Sequence, residues 1–398
     1  TIQRLFLSCK AALDASPQPL KNRQAISAIT QCRTRDLGAS LYACPEGHDR
    51  WEHCHSCRHR SCYLCAEKQR LAWIEAQKQR LLDVPHFHVI FTLPHEYLSL
   101  WRYNEALFAR LLFRASQESL QELLADPKYG RVHPGILMTL HTWGRQLTLH
   151  PHTHCLVTAG GVGSSGEWRD VGKYLLPSAV LRRYYRGKVQ ALLRQAALER
   201  RLTLPPNLSE QGFWQQHRRL YRKEWSVRIE DRYAHGKGVM LYLARYCKGG
   251  PMHPEQIRGW DGKRLEMSYL DHRDKRIKRQ HLTPLQLIHR LLQHVPANGV
   301  HTVRYYGLYA PAAKRRHQQM LARHGNLAGL KVRRMVPPEQ ALLCCRTCGA
   351  PAALVGQCWR KTSKGNSFIK KVRGLGAGDY VQQDVERDLE RRSMGDTS

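Results

Sequence analysis

The alternation of apolar and polar residues predicts strands and helices along the first half of the chain. Residues 86–94, HFHVIFTLP, alternate and are rich in β-branched and aromatic side chains, which is typical of a strand. Residues 96–124 follow an amphipathic helical pattern, and apolar segments within 135–161 predict further strands that end at a Gly-Gly hairpin signal. The predicted order is therefore strand, helix, strand, strand.

The second half continues this mixture of helices and strands. Residues 177–202 and 236–250 have helical patterns, the latter ending at a Gly-Gly stop, while residues 224–233 and 264–273 alternate as strands do. The strands have a period of two instead of continuous apolar runs, and a doubly wound parallel sheet therefore fits less well. We predict an α+β fold in which helices cover one face of an antiparallel sheet.

Changes in composition divide the chain into four predicted parts. Residues 1–40 form a helical lead-in, and residues 41–83 contain a dense group of Cys and His. The strand-and-helix pattern occupies residues 84–312. Residues 313–398 are basic and polar, and low hydrophobicity with dense charge predicts a mobile tail from about residue 361.

The charge of the chain points to a polyanionic partner. Lys and Arg number 64 against 32 Asp and Glu, which leaves a net charge of +32 and a pI near 10.0. Aromatic and basic residues are interleaved in residues 182–188, 214–228 and 304–317, a pattern typical of single-strand binding by stacking and phosphate contact. Nucleic acid is the expected partner; the alternative is nonspecific adhesion to anionic membranes or RNA.

Cysteine spacing predicts a zinc module near the N-terminus. Of 13 cysteines, five lie between Cys44 and Cys65. Cys62 and Cys65, with Cys57, form one predicted knuckle, while Cys44 and His48 form the opposing one, and Cys54 is ambiguous. The alternative is a set of buried free thiols.

The cysteines also indicate where the protein works. Clustered thiolates in a long chain favour a metal site in a reducing compartment. We find no apolar run long enough to span a bilayer and no signal segment, and we expect a cytoplasmic, nucleoid-associated protein without a membrane partner. Near the C-terminus, Cys345, Cys348 and Cys358 offer half of a second knuckle, without an evident fourth ligand.

Two histidines two residues apart form a candidate metal site. In the sequence HPHTHCLV, His152 and His154 face the same side of a strand, and His150 joins them if the strand continues through Pro151. A lone strand histidine is usually structural, but a pair followed by an apolar run favours a metal site.

Two tyrosines occupy one face of a predicted helix. Tyr242 and Tyr246 are four residues apart in YLARY, which is alone more typical of a core stripe. Arg245, Lys248 and the following Gly-Gly turn add positive charge and a flexible end, where a phosphodiester can approach.

Together these motifs resemble the rolling-circle insertion-sequence transposases of the HUH superfamily, the branch with two tyrosines. The resemblance spans about residues 40 to 312 and includes HFHVIFTLP, HTWGRQLTLHPHTHCLVTAGGV and YLARYCKGGP. It implies that residues 84–312 form an HUH endonuclease-like catalytic domain, that His152 and His154 are metal ligands, and that Tyr242 and Tyr246 are nucleophiles. Thr153 departs from the bulkier aliphatic that is usual there, and Tyr63 stands where many relatives have Pro.

The resemblance implies a mechanism and partners. Mg²⁺ or Mn²⁺, held by His152, His154 and a third ligand (His150 or Gln146), polarises a phosphate that a tyrosine attacks. The expected substrates are single-stranded DNA at the element ends and at the target. No Gly-x-x-x-x-Gly-Lys-Ser/Thr motif occurs, and unwinding is expected from a host helicase. The alternatives are a replication initiator or relaxase, and a non-catalytic zinc-containing DNA-binding protein.

Overall fold

The computed structural model describes residues 2–234, 238–239, 250–271, 274–328, 344–360 and 367–371. The chain divides into two compact units. The large unit combines residues 1–30 with 58–333, and the small unit combines 31–57 with 334–398. Among the described residues, no helix is both long enough and apolar enough to cross a membrane.

Helices and strands alternate along the part of the chain that the structure describes. The helices with described bounds are α1 (Ile2–Ser8), α2 (Lys10–Ala15), α3 (Leu20–Gln31), α4 (Tyr63–Arg80), α5 (Leu98–Tyr103), α6 (Glu105–Ala125), α7 (Ser178–Leu198), α8 (Glu210–Arg222), α9 (Pro284–Leu292) and α10 (Lys314–His324). The strands are β1 (Ala39–Ala43), β2 (Arg50–Cys54), β3 (His86–Thr92), β4 (Gly135–Trp143), β5 (Leu149–Thr158), β6 (Gly160–Val162), β7 (Trp168–Asp170), β8 (Val227–Tyr233), β9 (Ile257–Trp260), β10 (Leu265–Leu270), β11 (Ile277–Leu282), β12 (Val303–Gly307), β13 (Ala353–Arg360) and β14 (Ser367–Lys371).

A five-stranded antiparallel sheet, in the order β12-β4-β5-β3-β8, forms the centre of the large unit. This arrangement confirms the predicted α+β class. In the pairing of β4 with β5, His141 lies opposite His152. Alternate residues of a strand share a face. One face of the sheet therefore carries His88, His141, His152 and His154, and we call it the histidine face.

The opposite face of the sheet packs against α6 and α7. Phe91 and Met138 from the sheet are buried together with Leu112 of α6 and Val189 of α7 in one large core. Burying each such side chain stabilises the fold by about 1.5–3 kcal/mol relative to leaving it exposed. The rigid, helix-backed side of the sheet thus supports the histidines on its other side.

A second core lies at one end of the histidine face. Leu137 and Leu156 of the sheet are buried together with Ile74 of α4, with Met320 of α10, and with Tyr309, which precedes α10. The hydroxyl of Tyr309 donates to the imidazole of His86 over 2.8 Å.

The single helix predicted over residues 96–124 is two helices, α5 and α6, separated at Asn104. The side-chain amide of Asn104 donates to the carbonyl oxygens of Leu100 and Thr203, and its oxygen accepts from the Thr203 N–H. The two bonds to Thr203 tie the break to a distant part of the chain, which the amphipathic pattern does not reveal.

The small unit contains a four-stranded antiparallel sheet in the order β14-β13-β1-β2. Strand β1 pairs on one side with β2, which follows it directly, and on the other with β13 near the C-terminus. Tyr42 and Trp51 stack across the β1–β2 pair with ring centroids 6.3 Å apart. The C-terminal region therefore contributes two strands to the sheet that the Cys/His region begins.

Candidate functional site

Three imidazoles converge on the histidine face. His141 of β4 and His152 and His154 of β5 place their ring nitrogens within 4.8 Å of one another. The Nε2 atoms of His152 and His154 are 3.0 Å apart, and the ring of His141 is centred 4.6 Å from that of His154. All three side chains are buried. The three rings together can hold one metal ion.

Hydrogen bonds outside the cluster orient two of these rings. The Nδ1–H of His152 donates to the carbonyl oxygen of His150 over 2.6 Å. Nδ1 of His154 shares a hydrogen bond of 2.8 Å with Nε2 of His88. These bonds orient the two rings, whose Nε2 atoms lie 3.0 Å apart, as outer-shell partners orient the ligands of many metal sites.

Thr153 is held on the side of the sheet opposite the histidines. Its hydroxyl lies 3.0 Å from that of Ser116 on α6, and both residues are fully buried. A buried hydroxyl is costly unless it is hydrogen-bonded. The pair with Ser116 therefore satisfies the Thr153 hydroxyl, and it fixes the strand between His152 and His154 against α6.

The environment keeps these imidazoles neutral. Burial, followed by the neighbouring His141, lowers the pKa of both His152 and His154 well below the ordinary value. Burial and His141 likewise lower the pKa of His88 to about 4. Neutral imidazole is the form that ligates a metal, so the cluster is ready for one at neutral pH.

The third member of the cluster is a residue that the sequence did not indicate. His150 and Gln146 were the expected candidates. The ring of His150 lies 5.1 Å from that of His152 and 5.5 Å from that of His95, but His150 is not a member of the group of three. The side-chain amide of Gln146 donates to the hydroxyl of Tyr269. His141 takes the place because β4 pairs with β5 in a register that brings it opposite His152.

A cavity of about 370 Å³ opens beside His141. Its walls combine aromatic and polar side chains with the backbone turn at Gly250 and Pro251. The side chains most relevant to recognition are Arg60, Gln69, Trp73, Trp143, His301 and Tyr305. Such a lining suits a base or sugar beside a phosphate.

The predicted nucleophiles Tyr242 and Tyr246, with Arg245 and Lys248, lie outside the described residues. The residues on either side of that segment are described. Val239 is buried in the core that includes Leu137 and Leu156 of the histidine face. Gly250 lines the cavity beside His141. Both described neighbours of the tyrosine segment thus lie on the histidine side of the sheet.

A second metal-competent group belongs to the small unit. Cys44, His48, Cys345 and Cys348 place their ligand atoms within 4.8 Å of one another. The predicted Cys44/His48 knuckle thus meets the predicted C-terminal half-knuckle. Cys358, the third cysteine of that C-terminal group, lies in β13 opposite Ala39.

The remaining predicted zinc ligands lie around the start of α4. Cys62 precedes this helix and Cys65 is in its first turn, and both are buried in the large unit. Cys57 ends the first stretch of the small unit. Zinc ligation by these three stays a prediction from their spacing. Cys54, which was ambiguous, lies in β2 and belongs to no metal-competent group among the described residues.

Comparisons with known proteins match both parts of the chain. A family described as "Transposase zinc-binding domain" matches residues 5–93, and one described as "Putative transposase" matches residues 135–317. "Putative transposase y4qJ" of Sinorhizobium fredii is 33% identical over 318 residues, 78% of this chain and 79% of the relative. "Transposase for insertion sequence element IS801" of Pseudomonas savastanoi pv. phaseolicola is 31% identical over 296 residues, 72% of this chain and 70% of the relative. No solved structure matches the chain.

Proposed function

This chain belongs to the IS91-type transposase family, and we propose that it nicks and rejoins single-stranded DNA through phosphotyrosine intermediates during rolling-circle transposition. The chain is a transposase with a zinc-binding domain. The observation that carries the finer proposal is the convergence of His141, His152 and His154 on the histidine face. Gly250, which follows the tyrosine motif in sequence, lines the cavity beside His141.

A hard divalent ion such as Mg²⁺ or Mn²⁺ is the proposed occupant of this cluster. Imidazole is not the preferred ligand of Mg²⁺, so phosphate and water oxygens would complete its coordination shell. Bound there, the ion supplies Lewis-acid polarisation of the scissile phosphate.

Tyr242 and Tyr246 are the proposed nucleophiles. The phenolic oxygen forms a bond to phosphorus, the bond from phosphorus to the 3′ oxygen breaks, and the phenolic proton ends on the 3′-hydroxyl that leaves. The ester energy is retained in the phosphotyrosine, and rejoining by a 3′-hydroxyl needs no nucleotide hydrolysis. Two tyrosines allow two DNA ends to be held and exchanged.

The surroundings of the cluster support single-stranded DNA as the substrate. Trp73, Trp143 and Tyr305 line the cavity beside His141 and offer rings for stacking on an unpaired base. Arg60 in the same wall, and Arg245 and Lys248 along the chain, supply positive charge for phosphates. We infer that the cavity takes a nucleotide next to the cleaved phosphate, and that a host helicase supplies the single strand.

Trapping of the covalent intermediate tests this proposal. The full chain is incubated with Mg²⁺ or Mn²⁺ and labelled single strands that tile the ends of its insertion sequence, and adducts are separated on a denaturing gel. The variants are Tyr242→Phe, Tyr246→Phe and the double change, which keep the rings and remove the hydroxyls. Tyr174→Phe is the matched control, because Tyr174 is a largely exposed tyrosine of the same unit.

We expect each single change to leave some nicking by the remaining tyrosine and to reduce completed transposition severely. The double change abolishes the adduct, as does chelation of divalent metal, and Tyr174→Phe behaves as the parent. Mass spectrometry of the adduct identifies the modified peptide. An adduct on any residue other than Tyr242 or Tyr246, or normal cleavage by the folded double variant, overturns the mechanism.

A further inference from the structure

We propose that Cys345 and Cys348 join Cys44 and His48 to bind one zinc ion in the small unit. The matched zinc-binding domain ends at residue 93, well before Cys345. The inference therefore goes beyond the zinc-binding domain and is independent of the proposed DNA chemistry.

The spacing of the ligand atoms suits tetrahedral zinc. Sγ of Cys44 lies 3.6 Å from Nδ1 of His48 and 3.6 Å from Sγ of Cys348. Zinc with sulfur at about 2.3 Å and nitrogen at about 2.0 Å separates tetrahedral ligands by about 3.5 to 3.8 Å. A disulfide between Cys44 and Cys348 needs its sulfurs about 2.0 Å apart, so these thiols are spaced for a shared ion.

The two knuckles share one backbone hydrogen bond and differ in a second. The N–H of Cys44 donates to the carbonyl of Asp49, and the N–H of Cys345 donates to that of Ala350, five residues on in each case. The N–H of Gly47 donates to the carbonyl of Cys44, three residues back, and the N–H of Gly349 donates to that of Cys345, four residues back.

Both turn glycines have a positive φ, +77° for Gly47 and +70° for Gly349, which glycine adopts without strain. Two turns far apart in sequence thus have related backbone conformations.

The sheet of the small unit brings these turns to one end. Cys44 directly follows β1, and the turn from Cys345 to Ala350 directly precedes β13. Ala43 at the end of β1 pairs with Ala353 at the start of β13. The strand register thus places both knuckles at the same edge, independently of any side-chain contact.

The chemistry of the donors defines the ion and its role. Three thiolates and one imidazole are soft ligands that favour zinc over Mg²⁺ or Ca²⁺. Four protein ligands close the tetrahedron and leave no position for a substrate. The site is therefore structural, and it ties the C-terminal strands to the N-terminal half of the small unit.

Zinc content of the purified full chain tests the assignment. The double change Cys345→Ser with Cys348→Ser removes two ligands, and we expect it to lose one zinc equivalent per chain. Cys54→Ser is the matched control, because Cys54 lies in the same small sheet but outside the cluster, and it keeps the parental content. Zinc is counted by elemental mass spectrometry against protein concentration.

A conservative variant keeps the test decisive if the serine variant fails to fold. His48→Cys retains four ligands, so it should keep its zinc, and in the cobalt-substituted protein it should shift the absorption bands toward those of a four-thiolate site. An unchanged cobalt spectrum in His48→Cys overturns the proposal. So does full zinc content in the folded double-serine variant, or a Cys44–Cys348 disulfide found by non-reducing peptide mapping. None of these readouts depends on DNA cleavage.

Discussion

His141 lies directly opposite His152 in the antiparallel pairing of β4 with β5, and its ring packs on Trp143 with centroids 4.3 Å apart. The position of His141 is thus set by a strand register and by an aromatic neighbour. His150 is closer in sequence to the pair on β5 and its ring contacts those of His152 and His95, but His150 is not a member of the group of three. The strand register thus favours His141, which the sequence pattern did not indicate, over His150, which it did.

We predict that His141→Ala reduces metal-dependent nicking far more than His150→Ala does. Removal of a direct ligand should cost more than the about 10- to 100-fold loss typical of an outer-shell partner. His150→Ala should stay within a few fold, because its carbonyl oxygen, which accepts from His152, remains. Titration of nicking with Mn²⁺ measures both effects. Equal losses in the two variants would contradict the ligand set.

A second prediction concerns His88, whose Nε2 shares a hydrogen bond with Nδ1 of His154. We regard His88 as a positioning residue. His88→Phe removes the partner of His154 and should weaken metal affinity by about 10- to 100-fold. His88→Gln retains a side-chain acceptor and should recover much of that loss. Isothermal titration with Mn²⁺ provides the affinity, and similar affinities for the Phe and Gln variants would argue against the role.

The free energy of unfolding should fall as the pH drops below about 6.5, the ordinary pKa of histidine. Burial lowers the pKa of His86 to about 4, while an exposed histidine titrates near 6.5. Between these values the unfolded chain binds more protons, so the contribution of His86 is complete above about pH 6.5 and is lost as the pH falls toward 4. The slope is up to about 1.4 kcal/mol per pH unit for this residue.

Denaturant unfolding at about pH 7.5 and about pH 5 measures this effect. In the folded chain His86 accepts a hydrogen bond from Tyr309 and donates to the carbonyl of Val84. His86→Gln should lower stability at the higher pH and flatten the dependence on pH. His281→Gln, at an exposed histidine, is the matched control. A parental slope in His86→Gln would disprove the assignment.

Affinity for single-stranded DNA should fall steeply with salt. The net charge of +32 supplies many cations, and each phosphate neutralised on a single strand contributes about −0.7 to the slope of log K against log salt. We expect a loss of at least about tenfold between about 50 and 200 mM salt. Fluorescence anisotropy with a labelled oligonucleotide measures it. A flat salt response, or tighter binding of blunt duplex, would count against single-strand recognition.

The sequence predicted the fold class because the alternation of apolar residues is local. The strand expected at 86–94 is β3, and the strands expected at 224–233 and 264–273 contain β8 and β10. The break at Asn104 was missed because its partner Thr203 is far away in the chain. A hydrophobic period reports burial, and it carries no information about such distant polar partners.

The candidate site was predictable only where its members are close in sequence. His152 and His154 belong to one strand, and their common face follows from its period of two. His141 needed the register of β4 against β5, and the meeting of Cys44 with Cys348 needed the pairing of β1 with β13. The roles of Tyr242 and Tyr246 stay a prediction.

The pairing of β1 with β13 has a consequence for how the chain is made. A ribosome adds about 5–20 residues per second, so β1 leaves it many seconds before β13 exists. During that interval one edge of β1 has no β13 to pair with, and an open strand edge invites pairing with other chains. The free edge of β1 can pair with β13 only after synthesis has passed residue 360, and the sheet is complete only when β14 has followed. Chains whose synthesis stops before this point therefore keep an unpaired edge of β1. Proteases and chaperones can recognise such an edge.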